Sequence, residues 1–481
     1  MGHGGETLLT KAPFPLAGRK IAEGPALEVR APETGGVLAT VALGRESDFH
    51  AALDAAEEAR RPMAAEPAFR RAERLGNLAR ALEKEQEAFT RGIVEEAGKP
   101  RRYAAGEVAR AITTFRLAAE EATRFGGEVL PLDGTPAGKG RTGLVRRFPV
   151  GTCAFLTPFN FPLNLGVHKV APALAAGCPF VWKPAEKTPL TALRLAELLE
   201  SAEPALPPGS WSVIPALPEA CGPLFDDPRV RHLSFTGSAE VGWELKRRAA
   251  HARVTLELGG NAAAVIAPDW DLEHALDRCA VSAFAYSGQV CISLQRLFVP
   301  ADRFEAAVAG LSARAAALKR GPLDDPATEI GPLITPEAAE RVEAWIRKAE
   351  TAGAALHCGG GREGAFVEPA VLTGVPRRQL LWCEEAFGPV VVLAPYDSFD
   401  AALEAMNDTR YGLQASVFSH DWRLISKAWE LLEVGQVIVG EGPAFRIDSM
   451  PYGGVKQSGS GREGLRYAME AMTEPRLLVL G

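Results

Sequence analysis

Short apolar runs alternate with amphipathic stretches along the chain from about residue 148 onward. Helical stretches are predicted at 165–176, ended by Gly177, and at 188–201 and 239–250. The apolar runs expected to form strands are 150–156, 179–183, 211–214, 230–236 and 254–258. Because a helix between two apolar strands makes a crossover connection, this alternation predicts a parallel sheet covered on both faces.

A second alternation runs from about residue 262 to 440 and predicts a second α/β lobe. Its strands are expected at 263–267, 294–299, 390–393 and 437–439. The first 120 residues are predicted to be mostly helical, with amphipathic stretches at 46–59, 68–93 and 104–125. The fold class is therefore α/β with two lobes.

Two further segments are predicted to form a small β arm. Residues 127–150 read as a protruding hairpin, with strand-like pieces on either side of 133–138. The apolar end, 476–480, reads as an added strand. Both would expose sheet edges unless another subunit covered them, so the sequence predicts a homo-oligomer, either a dimer or a tetramer.

Composition narrows the possible partners and the compartment. At 481 residues the chain suggests roughly two to four lobes. A net charge of −7 without charge blocks argues against nucleic acid. No apolar run approaches the roughly 20 residues that span a membrane, and Met1–Glu6 lacks the apolar core of a signal peptide. The seven scattered cysteines lack a CxxC pair or metal-ligand spacing, which favours a reducing cytoplasm and predicts no metal site.

Cys291 and Glu257 are the leading candidates for chemistry. Cys291 lies in the glycine-containing run 287–296, and Glu257 ends a predicted strand just before two glycines. A thiol can form a thioester, and a partly buried carboxylate has a raised pKa and can act as a general base. A lone cysteine is more often a small buried hydrophobe, so the surrounding motifs decide between the two readings.

Two motifs suggest a dinucleotide site. The run 235–242 follows a strand and opens a helix, where backbone N–H groups favour phosphate; the alternative is an ordinary turn capped by Ser238. Lys183 and Glu186 follow another strand and could each hold a ribose hydroxyl. A carboxylate there repels a 2′-phosphate, which favours NAD over NADP, although an exposed ion pair is the alternative.

Three other segments each have a functional and a structural interpretation. Asn160 follows a strand and could donate to a developing oxyanion, or it could be a turn or cap residue. Glu384 and Glu385 could supply one further acid or form a solvated pair in a loop. The run 459–464 matches G-x-G-x-x-G, but too little chain follows for a dinucleotide-binding unit, so a structural turn is predicted.

Seven segments in fixed order resemble the aldehyde dehydrogenase superfamily over essentially the whole chain. They are FNFP at 159–162, KPAE at 183–186, FTGS at 235–238, ELGG at 257–260, GQVCxxxxR at 288–296, EEAFGPV at 384–390 and PYGGVKQSGSGREG at 451–464. The resemblance implies the non-phosphorylating, hydrolytic branch, with a Rossmann-like cofactor domain, a second α/β catalytic domain and a small β oligomerisation arm. The implied boundaries are 1–126 and 148–256 for the cofactor domain, 257–442 for the catalytic domain, and 127–147 and 465–481 for the arm.

The resemblance also implies a division of labour in NAD(P)-dependent aldehyde oxidation. Cys291 would attack the aldehyde to give a thiohemiacetal, Asn160 would stabilise its oxyanion, and Glu257 would activate the water that hydrolyses the later thioester. Lys169 would lie near the nicotinamide and Glu257. The implied cofactor-binding residues are Thr157, Pro158, Phe159, Lys183, Glu186, Gly237, Ser238, Gly242, Leu258, Glu385 and Phe387.

Three departures from the family pattern are present. Phe159 replaces a common Trp, which is a conservative change. Gly440 stands where an Asn often ends a strand, so a polar contact is missing or is supplied elsewhere. Residues 215–218 lack the usual glycines, which affects packing on the adenine side but not the chemistry.

The substrate is expected to be a small or medium aldehyde bound by one face of 104–125, the loop 441–448 and the neighbours of Cys291. Those neighbours, Val290 and Ile292, are apolar, and no arginine adjoins the thiol as in many relatives that use anionic semialdehydes. Arg446 or Arg116 could still supply a cation, or both could be surface salt-bridge residues. The run 443–453 is similar to the branch with lactaldehyde and phosphonate-derived aldehyde dehydrogenases.

Three alternatives were considered. A CoA-acylating enzyme would pass the thioester to CoA, but Glu257 favours hydrolysis. A thiol hydrolase would need a histidine paired with the thiol and would leave the cofactor motifs unused. A silent structural relative would not need Cys291, Glu257 and Asn160 together.

Overall fold

A computed structural model describes residues 11–481; Met1–Glu6 lie outside the described residues. The strands are β1 Phe14–Leu16, β2 Arg19–Ile21, β3 Ala26–Arg30, β4 Val37–Ala42, β5 Glu128–Pro131, β6 Thr142–Pro149, β7 Cys153–Leu156, β8 Phe180–Lys183, β9 Trp211–Val213, β10 His232–Gly237, β11 Arg253–Leu258, β12 Ala262–Ile266, β13 Leu294–Pro300, β14 Ala355–Cys358, β15 Arg362–Glu363, β16 Phe366–Val367, β17 Ala370–Thr373, β18 Val390–Tyr396, β19 Gln414–Phe418, β20 Gln436–Val439, β21 Gly459–Ser460 and β22 Thr473–Leu480.

Helices connect most of these strands. They are α1 Glu46–Ala65, α2 Ala68–Lys84, α3 Gln86–Ala97, α4 Arg101–Arg124, α5 Asn164–Ala176, α6 Pro189–Glu200, α7 Pro223–Asp226, α8 Ala239–Arg248, α9 Leu272–Phe284, α10 Phe304–Ala317, α11 Pro336–Thr351, α12 Leu380–Cys383, α13 Phe399–Asn407, α14 Trp422–Leu431 and α15 Leu465–Ala471. Gly177 ends α5 with a left-handed backbone (φ 83°), as its position predicts.

The first lobe is built on an eight-stranded sheet in the order β2-β1-β9-β8-β7-β10-β11-β21. Strands β9, β8, β7, β10 and β11 are parallel, and antiparallel strands cover both edges. The strand order reverses between β7 and β10. Ligands of such sheets bind beyond the carboxyl ends of the strands at a reversal of this kind. Asn160 follows β7 and Ser238 follows β10 at that edge.

The second lobe contains a seven-stranded sheet in the order β14-β17-β18-β13-β12-β19-β20, parallel except for β14. Strand β11 of the first sheet passes through Gly259, Gly260 and Asn261 into β12 of the second. Cys291 lies just before β13. The two candidate residues Glu257 and Cys291 therefore face the junction between the sheets. The α/β fold class with parallel sheets is confirmed.

The predicted arm is a three-stranded antiparallel sheet in the order β22-β6-β5. Strand β22 pairs with β6 along its whole length, from Thr473 opposite Pro149 to Leu480 opposite Thr142. Its last four apolar residues, Leu477 to Leu480, are all about half exposed. The hairpin and the added strand are thus present, while the domain boundaries and the oligomer stay predictions.

The first 120 residues are mostly helical, as expected, because α1 to α4 occupy most of them, but four short strands, β1–β4, precede α1 at residues 14–42. Each of these strands has only three to six residues, and β1 is recruited to the sheet by pairing with β9, which local patterning does not reveal. The run 459–464 is not only a turn: Gly459 and Ser460 form β21 and pair with β11 beside Glu257.

Within residues 11–481, no helix combines the length and apolar character needed to cross a membrane. The same part of the chain contains no group of three His, Cys, Asp or Glu side chains arranged to hold a metal ion.

Candidate active site

A cavity of about 300 Å³ lies where the two sheets meet. Ten of the predicted site residues line it: Cys291, Glu257, Asn160, Pro158, Phe159, Gly237, Ser238, Leu258, Glu385 and Phe387. Thr157, Lys169, Lys183, Glu186 and Gly242 do not line it and lie behind or beside its wall. The cavity also includes Val290 and Ile292, the two apolar neighbours of the thiol.

The thiol of Cys291 is half-buried in this cavity. Burial raises its pKa to about 11, and a hydrogen-bonding contact of 3.0 Å with the hydroxyl of Tyr452 acts in the opposite direction. The chain reaches Cys291 through Tyr286, Ser287 and Gly288, three residues with left-handed backbones. The Ser287 hydroxyl donates to the carbonyl oxygen of Gly331 (2.7 Å), which helps to hold this unusual conformation.

Asn160 lies beside the segment that carries the thiol. Its side-chain Nδ2 donates to the carbonyl oxygen of Gln289 at 2.9 Å. An amide nitrogen has two N–H groups, so a second donor is left over for a ligand in the cavity. Its Oδ1 is buried and accepts no hydrogen bond from residues 11–481.

Glu257 lies near the end of β11, and its carboxylate is not held by hydrogen bonds within residues 11–481. The residue is 3% exposed, and neither side-chain oxygen has a hydrogen-bond partner within residues 11–481. Burial raises the pKa of Glu257 well above its usual range, and the negative charge of Glu463 adds to the effect. Once deprotonated, a carboxylate of this kind is a stronger base than an exposed one and can take a proton from water.

A buried network of ion pairs underlies the cavity. Lys169 Nζ donates to Glu463 and to the Ser234 hydroxyl, both at 2.8 Å, rather than to Glu257. Arg446 also donates to Glu463, at 3.1 Å. Burial alone would raise the pKa of Glu463, but the charges of Lys169 and Arg446 hold it down at about 2. Glu463 is therefore a fixed anion in the wall of the cavity.

The network continues through His168 to Asp448. Arg446 donates to His168 Nδ1 at 3.1 Å, so His168 Nε2 carries the proton that is donated to Asp448 at 2.7 Å. Burial lowers the pKa of His168, and the nearby Arg446 charge lowers it further. Arg110 on α4 donates to Asp448 from two nitrogens, at 2.6 and 3.2 Å. Asp448 thus ties α4 and α5 to the loop that carries Arg446.

Arg446 and Arg110 both line the cavity, whereas Arg116 does not. Arg116 pairs instead with Glu83 at 2.7 Å, and both side chains are about half exposed. Arg116 is therefore a surface salt-bridge residue, which was one of the two possibilities for it, whereas Arg446 lies where it could face a substrate. Arg110 was not singled out from the sequence, although its helix was expected to line the site.

Two residues predicted to bind the cofactor lie at the end of β8: Lys183 is its last residue, and Glu186 follows it. Lys183 Nζ donates to Glu186 at 2.7 Å, and Lys183 is 7% exposed, so this is not the exposed ion pair considered above. Burial alone would raise the pKa of Glu186, but the charge of Lys183 brings it below the usual value. Thr157 accepts a hydrogen bond from the indole of Trp182 at 2.9 Å, which fixes the end of β7 against β8.

The residues predicted to hold the diphosphate and the nicotinamide are fixed by local contacts. Ser238 caps α8 by accepting from Val241 N at 3.5 Å, and Gly242 leaves room for Leu258. Glu385 accepts from Gly260 N at 3.1 Å, and a side chain at Gly259 would collide with that carboxylate. Burial raises the pKa of Glu385 to about 7.

Two aromatic rings in its wall narrow this cavity. Phe159 and Phe387 meet edge to face, with centroids 5.9 Å apart. Phe387 has a left-handed backbone (φ 48°), which sets the direction of its ring. Narrow apolar walls beside free backbone N–H groups suit the binding of a flat ring and a diphosphate.

Sequence reasoning missed five polar residues of the site: Tyr452, Glu463, His168, Asp448 and Arg110. Tyr452 and Glu463 lie within the matched segment 451–464, so the motif itself was a signal that they belong to the site. Their backbones pair across an isolated bridge, and Tyr452 N donates to the Glu463 carbonyl oxygen at 3.0 Å. No comparable signal marked Arg110 or His168.

The sequence profile of the aldehyde dehydrogenase family matches residues 21–478. A 3-sulfolactaldehyde dehydrogenase of Priestia aryabhattai is 43% identical over 413 residues, which cover 86% of this chain and 86% of that protein. The crystal structure of aldehyde dehydrogenase 21 from Physcomitrella patens with the reaction product succinate is 41% identical, has a TM-score of 0.96, and covers 98% of both chains. The NADP complex of a glyceraldehyde-3-phosphate dehydrogenase from Methanocaldococcus jannaschii is 34% identical, with a TM-score of 0.91 over 96% of this chain and 100% of that one.

The fold and the site define an α/β oxidoreductase with a cavity between two parallel-stranded sheets. The chain belongs to the aldehyde dehydrogenase family. Oxidation of aldehydes to acids is general for this family, whose members use NAD or NADP.

Proposed function

We propose that this protein oxidises a small aldehyde with an anionic group to the carboxylate, with NAD as hydride acceptor. The observation that carries the proposal is the presence of Cys291, Glu257, Arg110 and Arg446 in one cavity. The sequence predicts a small or medium aldehyde, and the two arginines indicate that this aldehyde also carries a negative charge.

The first half of the reaction is assigned to Cys291 and Asn160. The Cys291 thiolate attacks the aldehyde carbon, a C–S bond forms, and negative charge moves to the former carbonyl oxygen. The spare N–H of Asn160 donates to that oxygen. When bound, the nicotinamide supplies the acceptor for the hydride that leaves this carbon, and a thioester to Cys291 remains.

The second half is assigned to Glu257. It takes a proton from water, the hydroxide oxygen bonds to the thioester carbon, and the C–S bond breaks to release the thiolate and the carboxylic acid. The acid then loses its proton to solvent to give the carboxylate, and Glu257 returns its own proton to solvent. The unpaired, buried position of Glu257 supports this role because its raised pKa makes it a stronger base than an exposed carboxylate. Hydrolysis rather than transfer to CoA is proposed for the same reason.

The anionic group of the substrate is assigned to the arginine side of the cavity. Arg446 Nε is buried without a partner in residues 11–481, and Arg110 is one-third exposed there. A buried donor without a partner is costly unless a ligand completes it. The names of the relatives agree with this choice, since 3-sulfolactaldehyde carries a sulfonate, succinate a carboxylate and glyceraldehyde 3-phosphate a phosphate.

NAD is proposed over NADP because Glu186 lies with Lys183 at the predicted ribose site. A carboxylate accepts from a free 2′-hydroxyl and repels a 2′-phosphate. Because a related enzyme from Methanocaldococcus jannaschii forms a complex with NADP, the preference of this protein for NAD over NADP has to be measured directly. Glu186→Ser should raise the activity with NADP relative to NAD, whereas a wild-type preference for NADP would overturn the assignment.

The predicted domain boundaries and a homodimer or homotetramer are kept as part of the proposal. The exposed apolar strand β22 supports assembly through the arm. A reducing cytoplasm is proposed from the cysteines, which are all free in the structure. Nucleic acid is not proposed as a partner.

An aldehyde panel tests the proposed function. The panel pairs aldehydes carrying carboxylate, sulfonate or phosphate with neutral aldehydes of similar size, and follows NADH and NADPH formation. We expect a higher kcat/KM for the anionic members with NAD and no activity in Cys291→Ala. A Cys291→Ala protein that still forms NADH would refute the assigned nucleophile.

A further inference from the structure

We propose that Tyr452 is a further catalytic residue, whose hydroxyl group donates a hydrogen bond to the Cys291 thiolate and thereby favours ionisation of the thiol. The inference rests on the proposed role of Cys291 as the nucleophile. The Tyr452 hydroxyl and the Cys291 sulfur are 3.0 Å apart, a hydrogen-bonding distance for sulfur.

The hydroxyl of Tyr452 is buried, and its hydrogen-bond partner among residues 11–481 is the thiol of Cys291. Tyr452 is 2% exposed, and within residues 11–481 its hydroxyl is hydrogen bonded only to the thiol. A buried phenol usually finds a partner, and partners are most often backbone carbonyls. Tyr286 and Tyr396 follow that rule by donating to Ala97 (2.8 Å) and Ile266 (2.7 Å). Tyr452 instead contacts the reacting atom.

The phenol remains protonated when the thiol ionises. Burial raises the pKa of Tyr452 well above its usual value, and the neighbouring thiol raises it further. A thiol is the stronger acid of the two, with an ordinary pKa of about 8.5 against about 10 for a phenol. The thiol therefore loses its proton first, and the O–H of Tyr452 becomes the donor to a negatively charged sulfur. Hydrogen bonds to a charged acceptor are about twice as strong as neutral ones.

The ring is held in place from two sides. The guanidinium of Arg446 lies over it, with Cζ 3.6 Å from the ring centroid. The backbone of Tyr452 is paired with Glu463, which in turn binds Arg446 and Lys169. A cation over the face of a phenol withdraws electron density from it and strengthens its O–H as a donor. Arg446 thereby supports the thiolate through Tyr452 as well as by its own charge.

The test measures ionisation of Cys291 without aldehyde or cofactor. Iodoacetamide alkylates the thiolate: the S–C bond forms, iodide leaves, and the thiol proton is released to the buffer. The rate is followed at the Cys291 peptide by mass spectrometry as a function of pH, because Cys358 and Cys383 are also partly accessible. In Tyr452→Phe, which keeps the ring under Arg446, we expect the midpoint of this profile to move upward by about one pH unit.

Tyr396→Phe is the matched control, since it removes a buried hydroxyl that bonds to a backbone carbonyl far from the thiol. Its profile should overlay that of the wild type. A fluorinated tyrosine at position 452 keeps the shape and makes the hydroxyl more acidic, so the midpoint should move downward. This second variant decides the matter if Tyr452→Phe does not fold.

The inference is overturned if the Tyr452→Phe and wild-type profiles coincide, or if the fluorinated variant moves upward. Its failure is distinguishable from failure of the proposed function. If Cys291→Ala abolishes NADH formation while the Tyr452 profiles do not move, the nucleophile stands and only the role of Tyr452 is lost. If Cys291→Ala retains activity, the nucleophile itself is wrong.

Discussion

The side chain of Asn160 donates to the carbonyl oxygen of Gln289, two residues before Cys291, at 2.9 Å. The contact joins the end of β7 in one sheet to the segment before β13 in the other. It therefore fixes the amide and the thiol relative to each other, while the second N–H of the amide remains free to serve a bound substrate.

We expect Asn160→Ala to lower kcat by about 10²–10³-fold, because the developing oxyanion loses a preorganised donor. The measurement is pre-steady-state NADH formation, since oxyanion stabilisation affects the steps before the thioester. Loss of the Gln289 contact should also lower the free energy of unfolding, but only by about 1 kcal/mol. An Asn160→Ala protein with a normal burst rate would exclude the oxyanion role.

Glu257→Gln should separate the two halves of the reaction. We expect a burst of one NADH per active site followed by slow turnover, because the thioester forms but its hydrolysis lacks a base. Full steady-state activity in this variant would remove Glu257 from the mechanism.

The pH dependence of the wild-type enzyme should report the same residue. A general base acts only when deprotonated, and burial raises the pKa of Glu257. The steady-state kcat should therefore rise with pH through a value well above the usual range of a glutamate, and the NADH burst, which requires slow hydrolysis, should shrink over the same pH range. If kcat instead rose with a midpoint near the ordinary carboxyl pKa, about 4.3, the result would contradict the buried, unpaired state of Glu257.

Arg110→Met should impair binding of anionic aldehydes selectively. Loss of a charge-assisted contact, about 1.5–3 kcal/mol, corresponds to a rise in KM of roughly 10- to 150-fold. A neutral aldehyde of the same size should show little change. Arg116→Met is the matched control on the same helix, because Arg116 pairs with Glu83 outside the cavity. Equal effects of Arg110→Met on charged and neutral aldehydes would show that the residue acts on structure rather than on the substrate.

Most of the fold and the proposed reacting groups could be predicted from the sequence, but the buried ion pairs around Glu463 and Asp448 could not. Alternating apolar and amphipathic stretches predict the parallel sheets because every crossover helix buries one face. Cys291, Glu257 and Asn160 were singled out because each lies in a recognisable segment, with Glu257 near the end of β11 and Asn160 just after β7. The contact between Arg110 and Asp448 could not be predicted, because the two residues lie 338 positions apart in the sequence and only the tertiary fold brings them together.

The buried pair Lys99 and Glu107 should be a main support of the Asn160 loop. Glu107 binds Lys99, and its other oxygen accepts from Leu163 N (2.9 Å) and Asn164 N (3.1 Å) at the start of α5. Both charged side chains are fully buried. Glu107→Ala would leave the Lys99 charge unpaired and two N–H groups without an acceptor, which should lower the free energy of unfolding by about 3–5 kcal/mol.

A double variant separates the charge pair from the helix cap. Lys99→Met with Glu107→Gln removes both charges but keeps an oxygen that can accept from the start of α5, so it should be far more stable than Glu107→Ala. The measurement is the urea midpoint of unfolding, compared at equal protein concentration. If the double variant were as unstable as Glu107→Ala, the loss would come from packing around Lys99, whose ammonium lies 3.8 Å from the centre of the Phe161 ring, and not from an uncompensated charge.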